Sequence, residues 1–256
     1  MYSDLKNKKI FILGGSGLIG SEIIINLYKL KCKIVNLDLN KNTSISHMCS
    51  FQKFNCEDKN IQKNYFKVTK KFGLPDAFIN CSYPKTKDWI KNSFKNIKLS
   101  SLEKNINSNI VNSAILIKEV AELNLKSKKS CSIVLLSSIY GLVGQDPSIY
   151  AGTDLSENVS YSIIKGAIVN LTRQMSAYYS NKKIRINNVC AGGVFDERKS
   201  KNKKYKKLVL NYSKRSPIKR MAKPKEIALP VIFLASANSS YVTGASLVVD
   251  GGWTSI

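Results

Sequence analysis

The sequence predicts a doubly wound α/β fold, in which helices cover both faces of one mainly parallel sheet of seven strands. Short apolar runs of strand length alternate with longer segments of helical apolar spacing. The first apolar run also ends in a glycine-rich turn that opens a helix, which is typical of a parallel βαβ unit. The 256 residues suffice for one large domain, and no linker or repeat divides them. We therefore expect a single domain over residues 1–256.

The first half of the chain sets the pattern. Residues 9–14 form an apolar run that ends in glycine, as a buried parallel strand does. Residues 18–30 have helical apolar spacing, and residues 33–38 form a second strand that ends in an acid. A helix over 60–72 and a strand over 77–80 follow. The succession of strand, glycine turn, helix, strand and acid is the setting in which a glycine-rich turn binds a dinucleotide.

The second half continues the alternation. The helix over 225–235 is entered after Pro224, a residue that the first helical turn tolerates. Because helices separate the strands throughout, the sheet is expected to be mainly parallel. The remaining predicted elements are helices over 102–125 and 160–179 and strands over 132–137, 184–190 and 246–250.

The turn after the first strand has the spacing G-x-x-G-x-x-G. Its glycines let the backbone approach a pyrophosphate, which the following helix N-terminus stabilises. Asp38 ends the second strand, where a carboxylate can accept hydrogen bonds from an adenosine ribose and repel a 2′-phosphate. This favours NAD over NADP, although Lys41 nearby keeps NADP open as the alternative. The turn residues expected to contact the cofactor are Gly14, Ser16, Gly17, Leu18, Ile19 and Gly20.

Tyr161 and Lys165 are four residues apart in a predicted helix, so they share one helix face. A phenol is a poor acid or base at neutral pH, and a nearby ammonium is expected to lower its pKa. Tyr161 could then exchange a proton with a carbonyl or alcohol oxygen, to which the hydroxyl of Ser138 could hydrogen-bond. With a dinucleotide to carry hydride, these are the parts of a carbonyl/alcohol oxidoreductase.

Taken together, these motifs resemble the short-chain dehydrogenase/reductase family over nearly the whole chain. The resemblance implies a Rossmann-type fold, an acid/base role for Tyr161 and a second role for Lys165 in holding the nicotinamide ribose. It also implies cofactor contacts from Asn80, Cys81, Gly192 and Val194, and a homodimer or homotetramer. The segments that carry the resemblance are 79–83, 138–141, 161–165, 187–192, 241–244 and 249–252.

The family has a fourth catalytic residue, an asparagine in its long middle helix. By resemblance this residue falls on Asn109, where it would support a water in a proton relay. The middle helix is rich in asparagine, so Asn105 and Asn112 remain alternatives.

Two departures point to a subgroup. The glycine spacing resembles that of a longer branch of the family, and the 22 residues from 139 to 160 are more than usually separate the catalytic serine and tyrosine. The extra loop over 144–154 and the stretches 80–84, 137–141 and 191–196 resemble flagellin-modification reductases found with nonulosonic-acid and surface-glycan genes. The resemblance implies a sugar or nucleotide-sugar substrate of nonulosonate type.

Charge and composition exclude other classes of protein. The net charge of +24 comes mostly from lysines that are spread along the chain, so we expect no nucleic-acid binding. The only histidine is His47, and we expect no metal site. No apolar run is long enough to span a membrane and no signal peptide is recognisable, which predicts a cytoplasmic protein without a membrane partner. The scattered cysteines are expected to be reduced thiols: Cys32, Cys49, Cys56, Cys81, Cys131 and Cys190.

One basic segment follows Phe195. It is either a solvated helix face or, with the loop over 144–154, a site for a phosphate or carboxylate on a small anionic substrate. Two alternatives to a sugar reductase stay open: a 3-oxoacyl-carrier-protein reductase, whose acidic carrier would suit a basic surface, and an inactive dinucleotide-binding sensor or scaffold. The cations of this segment are Arg198, Lys199, Lys201, Lys203, Lys204, Lys206 and Lys207.

Overall fold

One parallel sheet organises residues 2–256, the part of the chain that this computed structural model describes. Its strands are β1 Lys9–Leu13, β2 Lys33–Asp38, β3 Ser50–Lys53, β4 Ala77–Asn80, β5 Cys131–Ser138, β6 Ile184–Ala191 and β7 Ser246–Val249. Their order across the sheet is β3-β2-β1-β4-β5-β6-β7, and every neighbouring pair is parallel. The order reverses direction between β1 and β4. The carboxyl ends of these two strands therefore border a crevice, where open α/β sheets bind ligands.

Helices cover both faces of the sheet. They are α1 Leu18–Lys29, α2 Ile61–Phe72, α3 Leu99–Ile106, α4 Asn112–Lys126, α5 Val159–Tyr179, α6 Lys203–Arg215 and α7 Pro224–Ala235. Strand side chains alternate between the two cores: Ile10 and Ile12 pack with α1 and α7, whereas Phe11 and Leu13 pack with α2 and α4 on the other face. The longest helix, α5, also packs on the second face.

The structure confirms the predicted fold class, a doubly wound parallel sheet of seven strands. The sequence analysis placed six of these strands and assigned none to β3. This edge strand has only four residues, and its mixture of polar and aromatic side chains is partly exposed, so it lacks the apolar run of a buried strand. Within residues 2–256, no helix combines the length and the apolar character needed to cross a membrane.

The middle helix differs from the continuous helix predicted over 102–125. It begins earlier, at Leu99, and a π-helical turn over Asn107–Val111 separates α3 from α4. π turns widen a helix locally and are frequent at functional sites. The residues buried in α3 and in this turn are polar, namely Ser101, Asn105, Ser108 and Asn109, so no apolar spacing in the sequence marks the turn.

The glycine turn after β1 depends on close backbone contacts. Gly14 has a φ of 77°, which favours glycine, and a Cβ there would lie 2.7 Å from the Ser82 nitrogen. A Cβ on Gly20 would lie 2.3 Å from the Gly14 carbonyl oxygen. Glycine at position 20 thus lets α1 lie this close to the turn, and glycine at position 14 lets the loop after β4 pass beside the turn.

We predict opposite effects for two alanine substitutions. Gly20→Ala should lower the free energy of unfolding by about 1–3 kcal/mol, because its Cβ meets backbone that cannot move freely. Gly166 lies in α5, and the nearest atom to an added Cβ there is 3.8 Å away. Gly166→Ala should therefore raise the free energy of unfolding by up to about 1 kcal/mol, because alanine favours the helix. Urea denaturation of both variants measures the difference. Equal unfolding midpoints would contradict the role given to Gly20.

Candidate active site

A cavity of about 840 Å³ opens at the carboxyl ends of the strands. Loops after β1, β2, β4, β5 and β6 form its walls, and α6 contributes Leu208 and Tyr212. Asn80 and Asn109, also predicted as site residues, do not line it. The predicted residues that line it are Gly14, Ser16, Gly17, Leu18, Ile19, Gly20, Asp38, Cys81, Ser138, Tyr161, Lys165, Gly192 and Val194.

Ser16 ties the glycine turn to the end of β2. Its N–H donates a hydrogen bond to Asp38 Oδ2 at 3.0 Å, and its hydroxyl donates to the Asn40 carbonyl at 2.6 Å. Asp38 Oδ1 accepts a hydrogen bond from the Asn40 N–H at 3.2 Å. The Asp38 carboxylate is therefore held at the cavity wall in a fixed orientation. Lys41 is exposed and does not line the cavity.

Ser138 ends β5, and Tyr161 and Lys165 lie one turn apart on α5, so the three residues meet at one wall of the cavity. The buried Lys165 ammonium donates to the Leu136 carbonyl at 2.9 Å and lies 5.6 Å from the centre of the Tyr161 ring. The Ser138 hydroxyl accepts a hydrogen bond from the Tyr140 N–H at 3.2 Å, which fixes its position at the cavity wall beside Tyr161.

The protonation of this group differs from the expectation that Lys165 lowers the pKa of Tyr161. Burial raises the pKa of the Tyr161 hydroxyl, and the neighbouring Ser138 side chain offsets part of that increase. Burial also lowers the pKa of Lys165 to about 8. The physical reason is desolvation, which disfavours the charged form of each group, while the Lys165 ammonium hydrogen-bonds to the backbone instead of the phenol.

Three aromatic residues that the sequence analysis did not assign to the site surround Tyr161. Tyr83, Tyr140 and Trp89 pack edge-on against its ring, with centroid separations of 5.4, 6.2 and 6.4 Å. Tyr83 and Tyr140 also line the cavity, so this aromatic wall of Tyr83, Tyr140 and Trp89 borders the site beside Tyr161.

Asn109 lies in the π turn of the middle helix and is buried. Its Nδ2 donates to the Pro84 carbonyl at 2.9 Å and to the Asn105 carbonyl at 3.0 Å. The alternatives, Asn105 and Asn112, do not line the cavity either, and the Asn112 side chain donates to the Cys56 carbonyl at 3.0 Å. Asn109 therefore reaches the cavity wall only through Pro84, which lines it.

Asn80 does not line the cavity but hydrogen-bonds to the loop after β4, which does. Its Oδ1 accepts hydrogen bonds from the Ser82 N–H at 3.0 Å and from the Ser82 hydroxyl at 2.7 Å. The next residue, Cys81, lines the cavity, and burial raises the pKa of its thiol to about 12. Cys81 is therefore a protonated, weakly reactive thiol at neutral pH.

Gly192 and Val194 line the cavity from the loop after β6. Val194 forms an isolated parallel bridge with Ala222, and the Gly193 N–H donates to the Tyr212 hydroxyl at 2.7 Å. This loop is thus fixed on one side by the segment before α7 and on the other by α6.

The extra loop over 144–154 packs against α6. Asn211 Nδ2 donates to the Ile149 and Ala151 carbonyls at 3.1 and 2.9 Å, and Lys204 forms an ion pair with Asp154. Against the expectation that basic side chains of α6 reach a ligand, none of them lines the cavity. The exposed lysines of this helix are Lys203, Lys204, Lys206, Lys207 and Lys214. They lie outside because α6 turns its apolar face inward, with Leu208 and Tyr212.

A different cation lines the cavity. Lys85 follows the aromatic segment after β4, and its ammonium lies 4.8 Å from the centre of the Tyr83 ring. In a chain with lysines throughout, nothing in the sequence distinguished Lys85 from the others.

The described residues contain no group of three or more His, Cys, Asp or Glu side chains that could hold a metal ion. All six cysteines are free thiols. His47 packs edge-on against Tyr28, and neither residue lines the cavity.

The glycine turn, the Ser138–Tyr161–Lys165 wall and the sheet order define a class of protein. A family profile described as enoyl-(acyl carrier protein) reductase matches residues 55–254. The chain belongs to the short-chain dehydrogenase/reductase family and is an NAD(P)-dependent oxidoreductase.

Individual relatives are similar over nearly the full length. The post-translational flagellin modification protein A of Campylobacter coli is 27% identical over 97% of this chain and 99% of its own. Glucose 1-dehydrogenase 2 of Bacillus subtilis is 26% identical over 99% of this chain and 97% of its own. The crystal structure of a short-chain dehydrogenase from Leptospira borgpetersenii with bound NAD+ superposes with a TM-score of 0.87 at 25% identity, covering 99% of this chain and 96% of that one.

Proposed function

We propose that this chain interconverts a carbonyl and an alcohol, with NAD(H), on a sugar or nucleotide-sugar derivative of nonulosonate type in surface-glycan biosynthesis. The observation that carries the reaction class is the meeting of Ser138, Tyr161 and Lys165 at one wall of a cavity that the glycine turn also borders. A titratable phenol, an ammonium and a hydroxyl so placed can move a proton to or from a substrate oxygen.

The glycine turn fits a dinucleotide. Gly17 precedes α1 as its N-cap, and the nearest atom to an added Cβ there is 3.4 Å away, so little in the protein itself demands glycine at this position. A pyrophosphate that approaches the backbone here would demand it. The N-terminus of α1 would stabilise the phosphate charge, and Asp38 is placed to accept hydrogen bonds from an adenosine ribose.

The nicotinamide cofactor, when bound, supplies or accepts the hydride. Tyr161 gives its hydroxyl proton to the substrate oxygen in reduction and takes it back in oxidation. Ser138 donates a hydrogen bond to the same oxygen and so fixes its distance from Tyr161. Lys165 would hold the nicotinamide ribose and place a positive charge beside the phenol, and Asn109 would support a water that returns the proton from solvent.

The substrate class rests on similarity and on the extra loop. A flagellin modification protein and a glucose dehydrogenase are both similar to this chain over nearly its full length. Ile149 and Tyr150 of the extra loop line the cavity, so an element longer than usual in the family contributes to the substrate site.

A second candidate is reduction of an acyl group on an acidic carrier protein. The description of the matching family profile names an acyl carrier protein, and the exposed lysines of α6 would attract an acidic carrier. Turnover of acetoacetyl-carrier protein in preference to keto sugars would favour this candidate.

We further propose a cytoplasmic homodimer or homotetramer. Large apolar side chains that a subunit contact would cover are exposed on the middle helix and α5, among them Leu99, Val111 and Ile163. Sedimentation at micromolar concentration tests this, and a monomer would contradict it.

We predict that Tyr161→Phe lowers kcat by about 10²–10⁴-fold, because only the transferable proton is lost. The assay is NADH oxidation or NAD+ reduction with a panel of keto sugars, aldoses and nucleotide sugars. Tyr28→Phe is the matched control, since Tyr28 is exposed on α1 and lies outside the cavity. Turnover of Tyr161→Phe near that of the control would disprove the assignment.

We predict that NADH binds more tightly than NADPH, because Asp38 would face the extra phosphate. Asp38→Ala should narrow or reverse the preference, while Asp154→Ala, at an exposed carboxylate outside the cavity, should leave it unchanged. Fluorescence titration of both reduced cofactors measures the ratio. A preference of the unmodified chain for NADPH would refute the role of Asp38.

A further inference from the structure

Lys85 is a cation with no acidic partner at the wall of the cavity. Its ammonium lies over two aromatic rings, 4.8 Å from the centre of Tyr83 and 6.0 Å from that of Trp89. None of the ion pairs among the described residues involves it. The rings position the ammonium through their negative faces but do not neutralise its charge.

Two other cations lie near Lys85. The residue is exposed to solvent on one side, but partial desolvation lowers its pKa, and the charge of Lys199 lowers it further. The nearby Lys165 ammonium also faces the Tyr83 ring, at 4.9 Å. Two carboxylates of adjoining segments are already engaged: Asp196 binds Arg198 through both oxygens, and Asp88 accepts a hydrogen bond from Ser101 at 2.9 Å.

We propose that Lys85 binds a carboxylate or phosphate group of the substrate and selects anionic sugars over neutral ones. The inference deepens the proposed function and rests on it. An oxyanion would supply the counter-charge that the described residues around Lys85 do not provide, through charge-assisted hydrogen bonds.

The position of Lys85 relative to Tyr161 limits the substrate. The Tyr83 ring contacts both the Lys85 ammonium and the Tyr161 ring, the latter at 5.4 Å between centroids. The anionic group and the reacting carbonyl would therefore both lie beside one aromatic ring, that of Tyr83. A single sugar unit that carries its own acid or phosphate matches this separation, whereas an anion at the end of a long chain does not.

A binding measurement tests this without turnover. The protein saturated with NADH is titrated calorimetrically with glucuronate, glucose 6-phosphate and glucose as carboxylate, phosphate and neutral probes. We expect the unmodified chain to bind at least one anionic probe about tenfold or more tightly than glucose. Lys85→Met should remove this preference, and Lys85→Arg should keep it. Lys204→Met is the matched control, because Lys204 pairs with Asp154 outside the cavity, and it should behave as the unmodified chain.

Brief acetylation followed by peptide mass spectrometry gives a second readout. Inorganic phosphate, glucose 6-phosphate or glucuronate should protect Lys85 from acetylation and leave Lys204 unprotected. An anion preference that survives in Lys85→Met, or no protection of Lys85 by any of the three, would overturn the proposal. Neither readout needs catalysis. Loss of anion binding in Lys85→Met would therefore support the role of Lys85 even if a fully active Tyr161→Phe disproved the role of Tyr161.

Discussion

The burial of the Lys165 ammonium is the constraint on which the rest of the site depends. Removing such a group from water costs several kcal/mol unless it is paired or hydrogen-bonded. Here one backbone carbonyl of β5, that of Leu136, accepts from it at 2.9 Å, and the Tyr83 ring faces it at 4.9 Å. These contacts fix α5 against the end of β5, and so place Tyr161 beside Ser138.

The remaining elements bring other chemistry to the same place. The reversal of strand order between β1 and β4 opens the crevice, and the close contact of Gly20 with Gly14 lets the α1 N-terminus border it. The extra loop and α6 hold each other through Asn211 and close the opposite side. A cofactor turn, a proton-transfer group and a substrate wall thus come from separate parts of the chain and meet only because the strands are parallel.

The sequence predicted those features that depend on the local pattern of residues. Apolar runs gave the sheet and most helices, and motif spacing gave Ser138, Tyr161 and Lys165, which the fold does bring together. It did not predict features that depend on tertiary packing: the edge strand β3, the π turn and the aromatic wall around Tyr161. It also did not predict that Lys85 would line the cavity in addition to Lys165. Lys85 differs from the lysines of α6 only in where its loop places it, and a chain of net charge +24 offers too many lysines for composition to choose among them.

The pH dependence of NADH affinity tests most directly whether the buried Lys165 ammonium holds the cofactor. Because the pKa of Lys165 is lowered to about 8, the group is charged below that pH and neutral above it. We expect a dissociation constant for NADH that is constant below pH 7 and rises by about tenfold per pH unit above 8. In Lys165→Arg, which stays charged, this rise should disappear from the range up to pH 10. An affinity of the unmodified chain that stays flat from pH 6.5 to 10 would contradict the role given to Lys165.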